Sequence, residues 1–355
     1  MGEMKSGGAK EEEISEGRRG SAEVLEGHLK RVTLADVFDE SAGGFSFILG
    51  WQFITLFSPA IHFSTYNDIS HFNSVLGFIS VGMLLVLLAA ALVPRHFMRK
   101  SVAKVLRHFA PCVVALCTGA LVVVDVVGPD YGQPWCSIAS TLAGAGLGVF
   151  YLSWGELFSH LNIIQVAAKI ASSFSIAAVL FAIAVTLPRP ATVTIAVALP
   201  LLSGYLASRK LRPGDADAKE PSEPLQLKPF IMNAVLSLGA LTGSFVRALL
   251  LNATPIIGEG SYPWLLLVAT LGSIVVVIVP LLSEESLDFV SAFKAAVFCL
   301  GLIFLLLPVI EFGSIAADIL GLATYVVTMI LVWVVLARVT KLYQLPASVM
   351  FGIGW

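Results

Sequence analysis

Three charged residues interrupt or border long apolar stretches, and their chemistry opens the question of function. Arg247 lies in TGSFVRALLLN, Asp318 in SIAADILG and Asp125 in VVVDVVGPD. If these stretches cross lipid, as the composition below indicates, the high cost of burying a charge there suggests a functional role. Arg247 can bind an anionic ligand, pair with Asp318 or Asp125, or extend to the outer headgroups. Each aspartate can also lie simply at the membrane interface.

Three other polar residues are candidates for ligand binding or for coupling between helices. Gln52 in LGWQFITLF lies near the middle of its stretch, where an amide needs a partner, so it either lines a cavity or joins two helices. Glu156 in LSWGELFSH can pair with Lys169 of the next stretch, which predicts a structural or coupling role. No nucleophile–base pair, phosphate loop or metal-ligand spacing accompanies them. We therefore predict no enzyme, cofactor or metal site.

The composition indicates an integral membrane protein. Hydrophobic residues make up 57% of the 355 residues and charged residues 13%, with a mean hydropathy of +0.87. A soluble domain carries about 25% charged residues. The formal net charge of −2 gives no field that would attract nucleic acid. We predict an all-α integral membrane protein whose partners are the bilayer and a small-molecule ligand, with no nucleic acid bound by this chain itself.

Apolar runs without charge predict where the chain crosses the membrane. A transmembrane helix needs about 20 mostly apolar residues to cross a core about 30 Å thick. The runs predict ten complete helices and the start of an eleventh from Leu345. The complete helices are predicted at 44–63, 75–93, 109–127, 135–156, 165–187, 191–208, 230–251, 262–281, 289–310 and 315–337.

The distribution of Lys and Arg predicts the orientation. Basic residues gather in the tail 1–43, between helices two and three, after helix six and after helix ten, whereas the alternate connections carry almost none. Under the positive-inside rule these regions are cytoplasmic. We predict a multi-pass protein of the cytoplasmic membrane with a cytoplasmic, disordered tail of mixed charge over 1–43.

The chain also divides into two bundles. The polar segment 209–229 predicts a cytoplasmic linker between a six-helix bundle at 44–208 and a second bundle at 230–355. Trp154 and Trp333 occupy matching places in the two halves, and a six-helix period is typical of the 6+6 major facilitator architecture. Because the eleventh segment stops at Trp355, we predict a second bundle that is incomplete and a product truncated before helix twelve.

Two stretches resemble a family of bacterial regulators. LSWGELFSHL after a glycine-rich helix, and LARVTKLYQLPASVMFGIGW at the end of the chain, resemble the membrane half of LuxR-type helix-turn-helix regulators that carry a facilitator-like bundle. The resemblance implies a bundle that senses a ligand and a cytoplasmic DNA-binding domain, which this chain does not contain. It implies signal transduction across the bacterial inner membrane.

A secondary transporter is the alternative interpretation. Against it, the connection VPRHFMRKSVAKVLRH lacks the Gly and Asp that facilitator transporters usually carry there, and the acidic groups lie near helix ends. The sequence analysis therefore ranks the sensor first and the transporter second. A nonfunctional remnant is a third interpretation that the sequence leaves open.

Overall fold

The computed structural model describes part of the chain. The described residues are 39–58, 60–61, 69–97, 99–127, 129–161, 163–211, 329–337, 339–341 and 346–354, together with Val326. Most of the predicted tail and linker, and the helices predicted at 230–251, 262–281 and 289–310, lie outside them. The count of ten helices therefore stays a prediction.

The described residues are almost entirely helical. The helices are α1 (Glu40–Phe57), α2 (Ile69–Leu92), the one-turn α3 (Pro94–Phe97), α4 (Lys100–Val127), α5 (Pro129–Ser159), α6 (Ile163–Thr186), α7 (Arg189–Lys210), α8 (residues 329–337) and α9 (Ala347–Gly354). Five of them, α2, α4, α5, α6 and α7, are long and apolar enough to cross a membrane. The prediction of an all-α, multi-pass membrane protein is confirmed in this part of the chain.

Helix α4 begins at Lys100, well before its predicted start at 109. It has 28 residues, which is about 42 Å at about 1.5 Å per residue and more than a core of about 30 Å. An apolar run marks only the part of a helix that lies in hydrocarbon. The first turns of α4, which carry the exposed Lys104, extend beyond the hydrocarbon. The connection predicted between the second and third helices is therefore largely helical.

Helix α1 begins at a side-chain cap. The carboxylate of Asp39 accepts hydrogen bonds from the backbone N–H groups of Ser41 at 2.9 Å and Ala42 at 3.1 Å. Asp is a preferred N-cap because it satisfies donors that the first helical turn leaves unpaired. The cap fixes the start of α1 at the end of the bundle where most basic side chains lie. We call this end the basic end and define it by Lys104, Lys169 and Arg209.

The described helices pack in a row of neighbours. Helix α1 packs against α6 and α7, α4 packs against α5 and α7, and α2 packs against α5. Helix α9 lies on α2 and α5. The chain direction alternates between the basic end and the opposite end, so α1 and α4 run away from the basic end while α5 and α7 run toward it. Two residues at the same depth therefore meet even when they are far apart in sequence.

Glycines bring α2 and α5 close together. An added Cβ on Gly144 would overlap the carbonyl oxygen of Ile79, and one on Gly148 would lie 3.1 Å from the carbonyl oxygen of Met83. Gly82 approaches the carbonyl of Thr141 in the same way from α2. Small residues allow this approach, and packing is the main force between helices in lipid. The close helix packing predicted from the Gly144–Gly148 spacing is confirmed.

We expect Gly144→Val to destabilise the bundle, because its side chain would force α2 away from α5. Overpacking costs about 1–3 kcal/mol in cores that can relax. The control is Gly77→Val on α2, where an added Cβ has nothing within 4 Å. The measurement is the apparent melting temperature in detergent. Equal melting temperatures for the two variants would contradict the close approach.

Candidate functional site

The polar and aromatic side chains of the described helices form layers by depth. From the basic end toward the opposite end, the layers are ion pairs, then a cluster of aromatic rings, then a neutral hydrogen bond between Gln52 and Tyr151. The Asp125–Arg189 ion pair lies at the opposite end. This order follows from the helix directions, since α1 rises from Phe45 to Gln52 while α5 descends from Tyr151 to Phe158.

An aromatic cluster closes the bundle just inside the basic end. All six of its rings are at most 2% exposed. Two of them, Trp333 and Phe351, belong to α8 and α9, and the others belong to α1 and α5. The members of this aromatic cluster are Phe45, Tyr151, Trp154, Phe158, Trp333 and Phe351.

Trp333 is the centre of the aromatic cluster. Its ring centroid lies 4.7 Å from Phe45, 5.5 Å from Tyr151, 5.8 Å from Phe158 and 5.0 Å from Phe351. The first three contacts are edge-to-face. Such pairs contribute about 0.5–1.5 kcal/mol each beyond the burial of their area. The side chain of Trp333 thus joins α8 and α9 to α1 and α5.

Helix α9 completes the closure through two glycines. A Cβ added to Gly155 of α5 would lie 2.8 Å from the ring of Phe351. A Cβ added to Gly352 of α9 would lie 2.5 Å from the carbonyl oxygen of Leu87 on α2. Nearby, the Lys341 ammonium donates a hydrogen bond to the carbonyl of Leu161 at 3.4 Å. The close contacts are therefore apolar, and the polar contact is exposed.

A neutral hydrogen bond lies next to the aromatic cluster. The hydroxyl of Tyr151 donates to Oε1 of the half-buried Gln52 at 3.0 Å. This bond joins α1 to α5, which is one of the two arrangements that the sequence analysis considered for Gln52. Tyr151 also touches Trp333 with its ring, which places the amide directly against the aromatic cluster.

Two tryptophans use their N–H groups to join helices inside the bundle. Trp51 donates to the hydroxyl of Thr118 at 2.8 Å, which links α1 and α4. Trp154 donates to the hydroxyl of Ser203 at 3.2 Å, which links α5 and α7. A buried indole normally has such a partner, because an unpaired N–H in an apolar region is costly.

The predicted pairing of Glu156 with Lys169 is wrong. Glu156 instead pairs with Arg107 of α4, and Lys169 pairs with Asp39 at 2.7 Å. The reason is packing, because the end of α5 lies along α4 while the start of α6 lies along α1. Glu156 and Lys169 thus each form an ion pair with a residue on a different element.

The Asp39–Lys169 pair lowers the pKa of the aspartate. Burial alone would raise the pKa of Asp39, but the hydrogen bonds and charge from Lys169 and the N–H of Ala42 outweigh it, so the pKa lies below its ordinary value of 3.8. A lowered pKa means that the folded state favours the ionised form. The stabilisation is fully present at a pH above the ordinary pKa of 3.8. It is lost as the pH falls from that value through the lower pKa of the folded state.

A third ion pair at the basic end joins α1 to α7. The carboxylate of Glu40 lies 3.5 Å from Arg209 and 3.6 Å from Lys210, the last two residues of α7. These side chains are more exposed than those of the other pairs, so the energy of this contact is small. The basic residues also lie where cations favour a helix C-terminus.

Asp125 forms an ion pair at the opposite end. Its carboxylate, 2% exposed, lies 2.9 Å from the guanidinium of Arg189. The Nε of Arg189 donates to the carbonyl of Ala60 at 3.0 Å, so one side chain joins the ends of α1 and α4 to the start of α7. Asp125 thus lies at the end opposite the basic end. Its partner is Arg189, which favours a helix-joining role over ligand binding.

Two of the predicted site residues cannot be placed beside these. Arg247 and Asp318 lie outside the described residues, so their predicted roles as ligand-binding residues stay predictions. Within the described helices, the polar side chains inside the bundle between the two charged ends are neutral, and Gln52 is the one that the sequence analysis identified.

Comparison with known proteins shows the fold. No protein-family model matches the sequence, and no curated protein matches it. The crystal structure of the human organic anion transporter MFSD10 (TETRAN) is similar, with a TM-score of 0.60 and 16% identity over 90% of this chain and 91% of that one. A bacterial homologue of the iron transporter ferroportin, in its outward-facing state, is similar with a TM-score of 0.50 and 12% identity, over 90% of this chain and 87% of that one. The chain therefore shares the helix-bundle fold of these two structures.

The sequence analysis missed most of the aromatic cluster. It noted Trp154 and Trp333 only as evidence for a repeat, and it did not select Phe45, Tyr151 or Phe158. A single aromatic residue in an apolar helix is indistinguishable from a lipid-facing one. The possible repeat was the one feature by which the sequence analysis singled out these two tryptophans.

We expect Arg189→Met to destabilise the protein more than Asp125→Asn. The first variant leaves a buried carboxylate without its cation, which costs about 3–5 kcal/mol in buried pairs. The second leaves Arg189, whose side chain is 34% exposed and can be hydrated. Thermal unfolding in detergent measures both, and the double variant should recover part of the loss. Equal destabilisation by the two single variants would contradict this account.

Proposed function

We propose that the chain is a secondary transporter of a small-molecule solute, with its basic end in the cytosol. The observation that carries this proposal is the likeness to two solved transporters over 90% of this chain. It favours the interpretation that the sequence analysis ranked second. The prediction of a LuxR-type sensor rests on the resembling sequence motifs alone, and the comparisons add nothing to it.

The neutral pair beside the aromatic cluster supplies a place for a solute to bind. The hydrogen bond from Tyr151 occupies Oε1 of Gln52 and leaves the amide nitrogen, with its two N–H donors, for an acceptor on the solute. Tyr151 itself is 2% exposed, whereas Gln52 is half-buried. Of the two side chains, Gln52 is therefore the one more open to contact with a solute.

Among the described residues, the aromatic cluster lies between Gln52 and the ion pairs at the basic end. We infer from this order that a solute would reach Gln52 from the opposite end in this state. Transport then requires the aromatic cluster to separate, because the solute must leave on the other side. Each state is favoured by its own contacts, and the solute shifts the balance by binding them unequally.

Small organic anions are the first solutes to test. Arg247 is predicted to bind an anionic ligand, and one of the two similar structures is named as an organic anion transporter. The other belongs to a homologue of an iron transporter. A panel of organic anions, with ferrous iron as a second class, therefore covers both possibilities that the neighbours suggest.

We expect purified protein in liposomes to accelerate uptake of at least one member of this panel. Gln52→Ala should raise the half-saturating concentration up to about tenfold, since a hydrogen bond contributes about 0.5–1.5 kcal/mol and about 1.4 kcal/mol is tenfold. The control is Ser80→Ala, whose hydroxyl bonds only its own helix on an exposed face. Uptake equal to that of protein-free liposomes would contradict transport of the panel, and unchanged affinity in Gln52→Ala would contradict the solute site.

A further inference from the structure

We propose that Gly155 is a positioning residue that sets how tightly the basic end closes, because it receives the ring of Phe351. This inference rests on the proposed function, since it concerns the closed state of a transporter. Gly155 is not a ligand-binding residue. It lies on α5, one position after the buried Trp154, and faces α9.

The first step of the argument is the space at Gly155. An added Cβ would lie 2.8 Å from two atoms of the Phe351 ring and 3.0 Å from a third. Real Cβ atoms essentially never approach so closely, and both the ring and the helix behind it would have to move. Phe351 is fully buried, so it has no exposed direction in which to rotate.

The second step is the connection from Phe351 to the rest of the aromatic cluster. Phe351 lies 5.0 Å from Trp333, and Trp333 lies against Phe45 and Phe158. A displaced Phe351 therefore disturbs the ring that joins α8 to α1 and α5. Packed interiors respond to such displacement by switching between arrangements rather than by deforming smoothly.

The third step is the kind of contact that holds α9, which packs against both α2 and α5. Gly352 approaches the carbonyl of Leu87, which helps to hold α9 on α2 only while the helices stay close. The hydrogen bond from Lys341 to Leu161 is exposed and 3.4 Å long. In lipid, helices associate mainly through close packing. Within the described residues, the fit of Phe351 into Gly155 is thus a principal element of closure.

The test measures the separation across the basic end without any solute. Spin labels are placed at His160 and Lys341, both exposed and on opposite sides of the closure, and distances are read by pulsed electron resonance. A label at Lys341 removes its hydrogen bond in every variant alike. A second pair, at Lys104 and His160, reports on α4 and α5 alone and should not change.

We expect Gly155→Leu to shift the His160–Lys341 distribution toward a longer distance, with the Lys104–His160 distance unchanged. The matched control is Gly119→Leu on α4, where an added Cβ has nothing within 4 Å. The double variant Gly155→Leu with Phe351→Ala should restore the short distance, because the introduced leucine side chain then occupies the space that the ring has left. This rescue separates a change of closure from a loss of folding.

A His160–Lys341 distribution in Gly155→Leu that matches Gly119→Leu would overturn the proposal. A lengthened distance that the added Phe351→Ala does not shorten would overturn it too, because the cause would then lie elsewhere. The outcome is independent of the uptake assay. Absence of uptake with the expected distances contradicts transport of the panel and leaves the role of Gly155 supported, whereas uptake with unchanged distances refutes the role of Gly155.

Discussion

The high cost of a charge in hydrocarbon organises the described part of this protein. Its ion pairs lie at the two ends of the bundle, Asp39–Lys169 and Arg107–Glu156 at one and Asp125–Arg189 at the other. Between these ends the helices must be held by contacts that leave no charge in lipid. The structure uses neutral hydrogen bonds, close approach at glycines and aromatic packing for this purpose.

These three kinds of contact hold different parts of the bundle together. Glycines set the distance between α2 and α5, tryptophan N–H groups join α1 to α4 and α5 to α7, and the aromatic cluster closes the basic end. The ion pairs fasten helices within residues 39–211, whereas the contacts to α8 and α9 are mainly aromatic and apolar. Packing contacts can separate without leaving a buried charge, which would suit an interface that opens if the protein is the transporter proposed above.

Patterns that act along one helix were predictable from the sequence. The apolar runs located the described long helices. The spacing of Gly144 and Gly148 predicted close packing of the helix that carries them, which is the packing of α5 against α2. The start of α4 was missed, because a helix continues past the apolar run into the headgroup region, where Lys104 is hydrated. A charge-free window measures the thickness of lipid rather than the length of a helix.

Contacts between helices were less predictable. Glu156 and Lys169 lie on consecutive helices, yet each pairs with a residue elsewhere, because α5 and α6 lie against different neighbours. The pairing of Tyr151 with Gln52 depends in the same way on the relative depth of α1 and α5.

Access to Gln52 tests the central claim, that a solute site lies behind a sealed basic end. Gln52→Cys can be prepared in a variant whose four native cysteines are replaced, then treated with a membrane-impermeant thiol reagent in vesicles of each orientation. The account predicts labelling from the side opposite the basic end and little from the basic side. Rapid labelling from the basic side, or from neither side, would contradict it.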